Sequence, residues 1–118
     1  MTDKPRFFYV VSMDVEPEYE DLFNEVYDTE HVPNLSAVPG VTSATRSVRE
    51  PLLRLNLMGQ EQVMDPGGEP KYSVTYEIAS PDVLRSPEWA EAGERGRWPG
   101  EVRPHTFNRR HILRKEIG

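Results

Sequence analysis

The sequence contains no cysteine among its 118 residues. Disulfides, thiolate metal sites and cysteine nucleophiles are therefore excluded. Basic residues are also in short supply, because 14 Lys and Arg stand against 20 Asp and Glu and the formal net charge is −6. A protein that binds nucleic acid by neutralising phosphates needs the opposite balance, so we expect no nucleic-acid partner.

Long apolar runs and nucleotide-binding motifs are missing as well. The polar amino terminus leads into an apolar run at residues 7–13, which is too short to span a membrane and carries no signal-peptide cleavage pattern. We therefore expect a cytoplasmic protein without a membrane partner. No glycine-rich phosphate-binding motif and no Gly-x-Ser-x-Gly motif occurs, so the usual signatures of nucleotide-dependent enzymes and serine hydrolases are absent.

The hydrophobic share is low, at 36%. A chain of this length fits one domain, here residues 1–118, and its core is expected to be thin. Association with a second copy would help to stabilise such a core.

The first third of the chain predicts a strand and a helix. Residues 6–13 are apolar on both alternating faces, which is typical of a strand covered on two sides. Pro17 stands at a first helical position, and an apolar stripe at spacings of three and four follows, which predicts a helix over residues 17–28. Because proline disfavours helical geometry in the residue before it, Pro33 predicts a bend at Val32.

The remaining two thirds predict three more strands and one helix. Val41–Arg49 reads as a strand entered from the Pro39-Gly40 turn, and residues 72–78 alternate apolar and polar side chains. Two Ser-Pro pairs predict a broken helix from about residue 81 to 95, and Thr106–Lys115 predicts the last strand. Residues 50–70 are interpreted as an insertion, either extending a strand or forming an irregular arm.

The order strand, helix, strand, strand, helix, strand predicts an α+β, ferredoxin-like fold. In it a four-stranded antiparallel sheet carries two helices on one face. The other sheet face is left bare, and a second copy facing it would cover it. We therefore expect a homodimer.

Several short runs resemble the dimeric α+β barrel superfamily, and within it the EthD-like and related uncharacterised families. They are the run from Tyr27 to Pro33, the Val38–Val41 turn with Arg46 after it, the strand from Pro70 to Glu77, and the Ser86–Trp89 helix start. The resemblance implies a dimeric barrel with a small-molecule pocket between the helices and the sheet of each subunit. Relatives include cofactor-free monooxygenases, lactone isomerases, polyketide cyclases, haem-degrading enzymes and proteins without known activity.

His31 is the candidate catalytic residue. The neighbouring carboxylates Asp28 and Glu30 could hold its tautomer and raise its basicity, as a general base needs. The alternative is a structural imidazole that caps the last turn of a helix. The resemblance favours the first interpretation, because a histidine near the end of the first helix is catalytic in some relatives.

Aromatic and polar residues supply candidates for substrate binding. Tyrosines and tryptophans could wall a pocket, with an arginine as anion or carbonyl clamp and an asparagine as hydrogen-bond partner, although strand tyrosines are more often core residues. The candidates are Tyr27, Arg46, Tyr72, Tyr76, Trp98 and Asn108, with Trp89 as a further possible wall. The arginines near the carboxyl end, among them Arg103 and Arg109, are interpreted as charges that protect strands from foreign sheets.

No metal site is expected. The three histidines show no short ligand spacing, and His105 and His111 are six residues apart on a predicted strand, about 20 Å at ~3.3 Å per residue.

Two functional hypotheses remain. The first is a cofactor-independent enzyme of monooxygenase, isomerase or cyclase type, acting on a small aromatic or carbonyl-containing metabolite with His31 as acid or base. The second is a non-catalytic dimeric module that binds a small ligand or a partner, in which His31 is structural.

Overall fold

The computed structural model describes residues 4–118 and contains six strands. They are β1 (Phe7–Val15), β2 (Val41–Val48), β3 (Leu53–Leu57), β4 (Gln60–Met64), β5 (Tyr72–Ile78) and β6 (Thr106–Lys115). Four of them form an antiparallel sheet in the order β2-β5-β1-β6. The predicted ferredoxin-like arrangement, with helices on one face of a four-stranded sheet, is confirmed.

The first helical stretch is longer than predicted and does not bend where expected. A 3₁₀ turn (Pro17–Tyr19) leads into α1 (Glu20–Val26), a π-helical turn (Tyr27–His31) and α2 (Val32–Ser36). The bend predicted at Val32 is wrong, because this residue is helical with φ −64° and ψ −46°. Pro33 lies in the first turn of α2, where the N–H that proline lacks is not needed.

The second helical stretch begins at two serine caps, as predicted. Ser80 accepts a hydrogen bond from the backbone N–H of Asp82, and Ser86 accepts one from that of Trp89. The 3₁₀ turn Pro81–Arg85 and helix α3 (Pro87–Ala92) follow these caps. A second π-helical turn (Trp98–Val102) and a 3₁₀ turn (Arg103–His105) then lead into β6.

The turn before β2 needs its glycine. Gly40 has φ +94°, and a Cβ built on it would lie 2.5 Å from Cγ2 of Val83. Only glycine therefore allows the sheet and the helical layer to approach this closely here.

The segment 50–70 contains a regular β-hairpin instead of an irregular arm. β3 and β4 pair only with each other, around a turn in which Met58 and Gly59 have φ 56° and 79°. The molecule measures 51 × 49 × 19 Å, and its radius of gyration of 16.4 Å exceeds the ~13.5 Å typical of a compact chain of this length. The chain is therefore flat and extended.

The core fills the space between the sheet and the helices. Its largest fully buried side chains are Trp98, Tyr76, Phe23, Met13, Ile78, Val26, Val74 and Val102. The outer sheet face carries Phe8, Val10 and Ile112 among serines and threonines, and Val10 lies beside Ile112 in the register. Within residues 4–118, no helix is long and apolar enough to cross a membrane.

Candidate functional site

A cavity of about 110 Å³ lies between the helical layer and the sheet. Aromatic rings form most of its wall, with an aliphatic floor and two arginines. The lining residues are Tyr9, Val11, Tyr27, His31, Leu35, Tyr76, Trp89, Gly93, Trp98, Arg103 and Arg109. A space of this size accommodates a small ligand of about one aromatic ring.

Two polar atoms in the cavity wall are buried and unpaired. Within residues 4–118, Nδ1 of His31 and the hydroxyl of Tyr76 have no hydrogen-bond partner. His31 is 7% exposed and Tyr76 is 1% exposed. Buried polar groups are almost always paired, and an unpaired one costs ~1–3 kcal/mol. These two atoms therefore identify a place where a ligand would be stabilised.

The π-helical turns position the aromatic rings at this cavity. Tyr27 and His31 begin and end the first such turn, and Trp98 begins the second. The His31 imidazole stacks on the Trp98 indole, with centroids 4.4 Å apart and an angle of 19° between the planes. Because π-helical turns are often found at functional sites, their meeting at one cavity supports its role.

The opposite wall consists of aromatic residues from the sheet and α3. Tyr9 on β1 stacks on Tyr76 on β5 at 5.9 Å, and both contact Trp89 edge-on at 5.8 and 5.4 Å. The Tyr9 hydroxyl is 2.6 Å from Nδ1 of His111, so this hydroxyl is paired while that of Tyr76 is not.

Burial makes His31 a neutral residue. It lowers the pKa of His31 to about 4, and the positive charges of Arg103 and Arg109 act in the same direction. The expected support from nearby carboxylates is not found, because Asp28 accepts from Arg46 at 2.7 Å and Glu30 accepts from Arg97 at 2.6 Å.

His31 is not a helix cap either. The helix continues beyond it through α2 to Ser36, so its side chain does not lie at a carboxyl terminus. Both sequence interpretations assumed that the helix ends near residue 28. The continuation through a π-helical turn replaces that geometry with a buried position against Trp98.

The two arginines in the wall differ in their partners. Arg103 donates to Glu94 Oε1 at 3.0 Å and to the Gly93 carbonyl at 3.1 Å, so its charge is balanced. Arg109 donates to the Thr106 hydroxyl at 3.2 Å and, within residues 4–118, forms no ion pair. The cavity wall therefore carries one uncompensated positive charge.

A β-bulge lies next to Arg109 at the cavity wall. Ser12 pairs with Arg110 and Asp14 with Phe107, which places both Asn108 and Arg109 opposite Met13. Asn108 has φ 53°, a conformation that asparagine tolerates better than most residues. Its side-chain amide donates to Asp14 Oδ2 and to the Gly68 carbonyl, both at 2.9 Å. Bulges of this kind re-aim side chains beside functional sites.

A second aromatic cluster lies at the other end of β5 and is closed. Arg46 lies over the Tyr27 ring at 4.8 Å and donates to Asp28 Oδ1 and Asn24 Oδ1, both at 2.7 Å. Tyr72 donates to Glu20 Oε2 at 2.6 Å. The space among these side chains has essentially no room for a ligand. Arg46 and Tyr72 therefore already have protein partners.

The structure brings together part of the predicted site. His31, Tyr27, Tyr76 and Trp98 line one cavity, and Trp89 lines it too. Arg46 and Tyr72 lie in the closed cluster, and Asn108 lies at the bulge. Placement alone does not assign a role in binding to any of them.

Sequence reasoning missed three aromatic or charged residues of the wall, Tyr9, Arg103 and Arg109, besides Val11, Leu35 and Gly93. Tyr9 could have been found from the alternation of β1, because it lies on the same face as the buried Val11. Alternation along β6 likewise places Arg109 on the same face as His111. Arg103 could not be found, because its placement depends on the turns before β6.

The other two histidines lie apart from the cavity's centre. His105 contacts Glu16 at 2.9 Å and stacks on Tyr19, while His111 pairs with Tyr9. Within residues 4–118, no group of three or more His, Asp or Glu side chains is arranged to hold a metal ion.

Solved structures share this fold. An ethyl tert-butyl ether degradation (EthD) family protein from Bacillus halodurans is 13% identical, with a TM-score of 0.57, covering 94% of this chain and 99% of its own. A dimeric protein of unknown function with a ferredoxin-like fold, from Bacteroides fragilis, is 11% identical, with a TM-score of 0.58, covering 94% and 96%. No family model matches the chain, and no curated protein matches it significantly.

These comparisons define the class of the chain at the level of fold. It is a ferredoxin-like α+β domain, and the resemblance to EthD-like proteins is confirmed as a likeness of structure. At 11–13% sequence identity, this structural likeness does not assign an activity to the chain.

Proposed function

We propose that this protein binds a small aromatic or carbonyl-containing metabolite in the His31–Tyr76 cavity and converts it without a bound cofactor. The reaction would be of monooxygenase, isomerase or cyclase type, with His31 moving a proton. The observation that supports this best is that two residues lining one aromatic cavity, His31 and Tyr76, each carry a buried polar atom without a partner among residues 4–118. A ligand that pairs with both atoms removes two unfavourable desolvation terms at once.

The chemistry follows from the protonation states of the two groups. Neutral His31 has one ring nitrogen free to accept, and burial raises the pKa of Tyr76 so that its hydroxyl remains a donor. Tyr76 would donate to a carbonyl oxygen of the ligand, and His31 would accept the proton from the carbon beside that carbonyl. The negative charge that develops on the oxygen raises the pKa of the nearby imidazole and assists the transfer.

A second candidate function is a non-catalytic ligand-binding or interaction module. The low pKa of His31, about 4, favours it, because such an imidazole is a weak base. In this alternative His31 and Tyr76 only hydrogen-bond the ligand.

Proton exchange separates the two candidates. Acetophenone in deuterated buffer should lose its methyl proton signal faster with the protein than without it, and His31→Gln should abolish the acceleration. Binding of acetophenone, followed by ligand-observed NMR, should weaken in Tyr76→Phe and persist in Tyr72→Phe. Binding without exchange would favour the module, and no binding of acetophenone or of related phenols and benzoates would contradict the proposed function.

We also propose that the chain acts as a homodimer that closes a barrel through its outer sheet face. A sheet with helices on one side leaves Phe8, Val10 and Ile112 to be covered, and Ile112 is 47% exposed. One protein of the same fold is described as dimeric. Light scattering coupled to size exclusion should give twice the chain mass of 13.6 kDa, and a monomer at micromolar concentration would contradict the proposal.

A further inference from the structure

Charge is distributed unevenly around the cavity. Its wall contains two arginines and no aspartate or glutamate. Glu94 neutralises Arg103 from outside the wall, whereas Arg109 has only the Thr106 hydroxyl as a partner within residues 4–118. This imbalance is notable in a chain whose net charge is −6.

Arg109 lies on the inner face of the sheet beside a bulge in β6. Alternation from His111, which pairs with Val11, places it on that face. The adjacent bulge has a positive φ at Asn108, and two hydrogen bonds hold that residue in place. The neighbouring Arg110 faces the outer side of the sheet and pairs with Glu69 at 2.5 Å. Adjacent arginines on one strand are thus placed in different surroundings.

The field of Arg109 reaches deep into the wall. Burial raises the pKa of Tyr9 and Tyr27, and the positive charge of Arg109 opposes that rise. Burial lowers the pKa of His31 and His111, and Arg109 adds to that lowering. The charge of Arg109 therefore affects residues on β1, on β6 and in the first π-helical turn.

From this geometry we infer that the metabolite bound in the cavity carries a carboxylate. The carboxylate pairs with Arg109 at the mouth, while the remainder of the ligand reaches toward His31 and Tyr76. This inference rests on the proposed function and narrows its ligand class to small aromatic or carbonyl-containing acids. A guanidinium matches a carboxylate in charge and in the geometry of its donors.

Benzoate and benzamide provide a matched pair of probes, because they share ring and shape and differ in charge. Dissociation constants from NMR titration should be at least about tenfold lower for benzoate, since a hydrogen bond to a charged group is worth ~1.5–3 kcal/mol. Arg109→Gln should weaken benzoate binding by about tenfold and leave benzamide within about twofold, since only the acid uses the charge. Arg109→Lys should retain most of the preference for the acid.

Arg110→Gln is the control, because it removes the same charge from the outer side of the same strand. It should leave both affinities unchanged, and thermal melting should show that each variant is folded. Equal affinity for benzoate and benzamide, or unchanged benzoate binding in folded Arg109→Gln, would overturn the inference while leaving a Tyr76-dependent site in place. Failure of both probes to bind would overturn the inference together with the proposed function.

Discussion

The two ends of strand β5 carry the same residue on the same face and use it in opposite ways. Tyr72 donates to Glu20 at 2.6 Å inside a cluster without free space. Tyr76 is four residues further along and lines a cavity of about 110 Å³, and its hydroxyl has no partner among residues 4–118. Hydrogen bonds at the closed end stabilise the fold. At the open end the unpaired Tyr76 hydroxyl and His31 Nδ1 lower its stability.

The partners of the neighbouring charged groups explain this difference. At the closed end Asp28 and Asn24 each accept a hydrogen bond from Arg46, and Glu20 accepts one from the Tyr72 hydroxyl. At the open end His31 lines the same cavity as Tyr76, and its Nδ1 also has no partner among residues 4–118. A ligand is the partner that completes the open end.

The largest expected effect concerns pH. Burial lowers the pKa of His31 from 6.5 to about 4. Between these pH values His31 is protonated in the unfolded chain and neutral in the folded chain. Stability should therefore fall as pH decreases from about 6.5 to about 4, by about 3 kcal/mol for a shift of this size at ~1.4 kcal/mol per unit. Chemical denaturation of wild type and His31→Gln across this range measures the contribution of His31.

The comparison with His31→Gln isolates His31, because the carboxylates and His111 titrate in both proteins and their contributions cancel in the difference. The unfolding free energy of wild type should decrease relative to that of His31→Gln as the pH is lowered. A difference that is constant between pH 7 and pH 4 would show that His31 is not held neutral by burial.

The two tyrosines themselves provide the next test. Tyr72→Phe removes a hydrogen bond to a carboxylate and should lower the unfolding free energy by about 1–2 kcal/mol. Tyr76→Phe removes an unpaired buried hydroxyl and should raise it by up to about 1 kcal/mol in the ligand-free protein. Equal losses from both substitutions would indicate that the Tyr76 hydroxyl has a partner in the folded protein.

A smaller effect is expected at the bulge. Asn108→Ala should be less stable than Asn108→Gly by about 1 kcal/mol, because alanine is strained at φ 53° and glycine is not. Both changes remove the same two side-chain hydrogen bonds, so thermal melting isolates the backbone contribution. Equal stability of the two variants would argue against a left-handed residue at this position.

The smallest effect is expected from the hairpin. Replacing residues 53–64 by two glycines should change the unfolding free energy by less than about 0.5 kcal/mol, because β3 and β4 pair only with each other. The loop after the hairpin is retained, since Gly68 and Glu69 accept hydrogen bonds from Asn108 and Arg110. Loss of cooperative unfolding would show that the hairpin stabilises the core.

Much of the fold could be predicted from local patterns. Local patterns predicted strand β5, the Ser-Pro caps and the last strand, because each depends on residues close in sequence. The π-helical turn at Tyr27–His31 was not, because the bend expected from Pro33 is offset by the packing of Tyr27 and His31 against Trp98.

The site was readable only in part. His31, Tyr76 and Trp98 could be nominated from residue type and resemblance, and they line the cavity together. The sequence could not predict that the Tyr72 hydroxyl is hydrogen-bonded and the Tyr76 hydroxyl is not. That difference depends on which groups the tertiary structure places beside each hydroxyl. Arg109 was interpreted only as a protective charge, although its alternation with His111 places it on the inner face of the sheet.

The most direct test of a ligand site at the open end of β5 is the nitrogen spectrum of the His31 imidazole. It should be recorded at pH 7 with and without acetophenone, whose carbonyl oxygen is the proposed acceptor for Tyr76, with His31→Gln used to assign the signals. We predict that the Nδ1 resonance of His31 shifts on addition of acetophenone and that the shift disappears in Tyr76→Phe but persists in Tyr72→Phe. Acetophenone that binds while the His31 nitrogens stay unchanged would contradict the account.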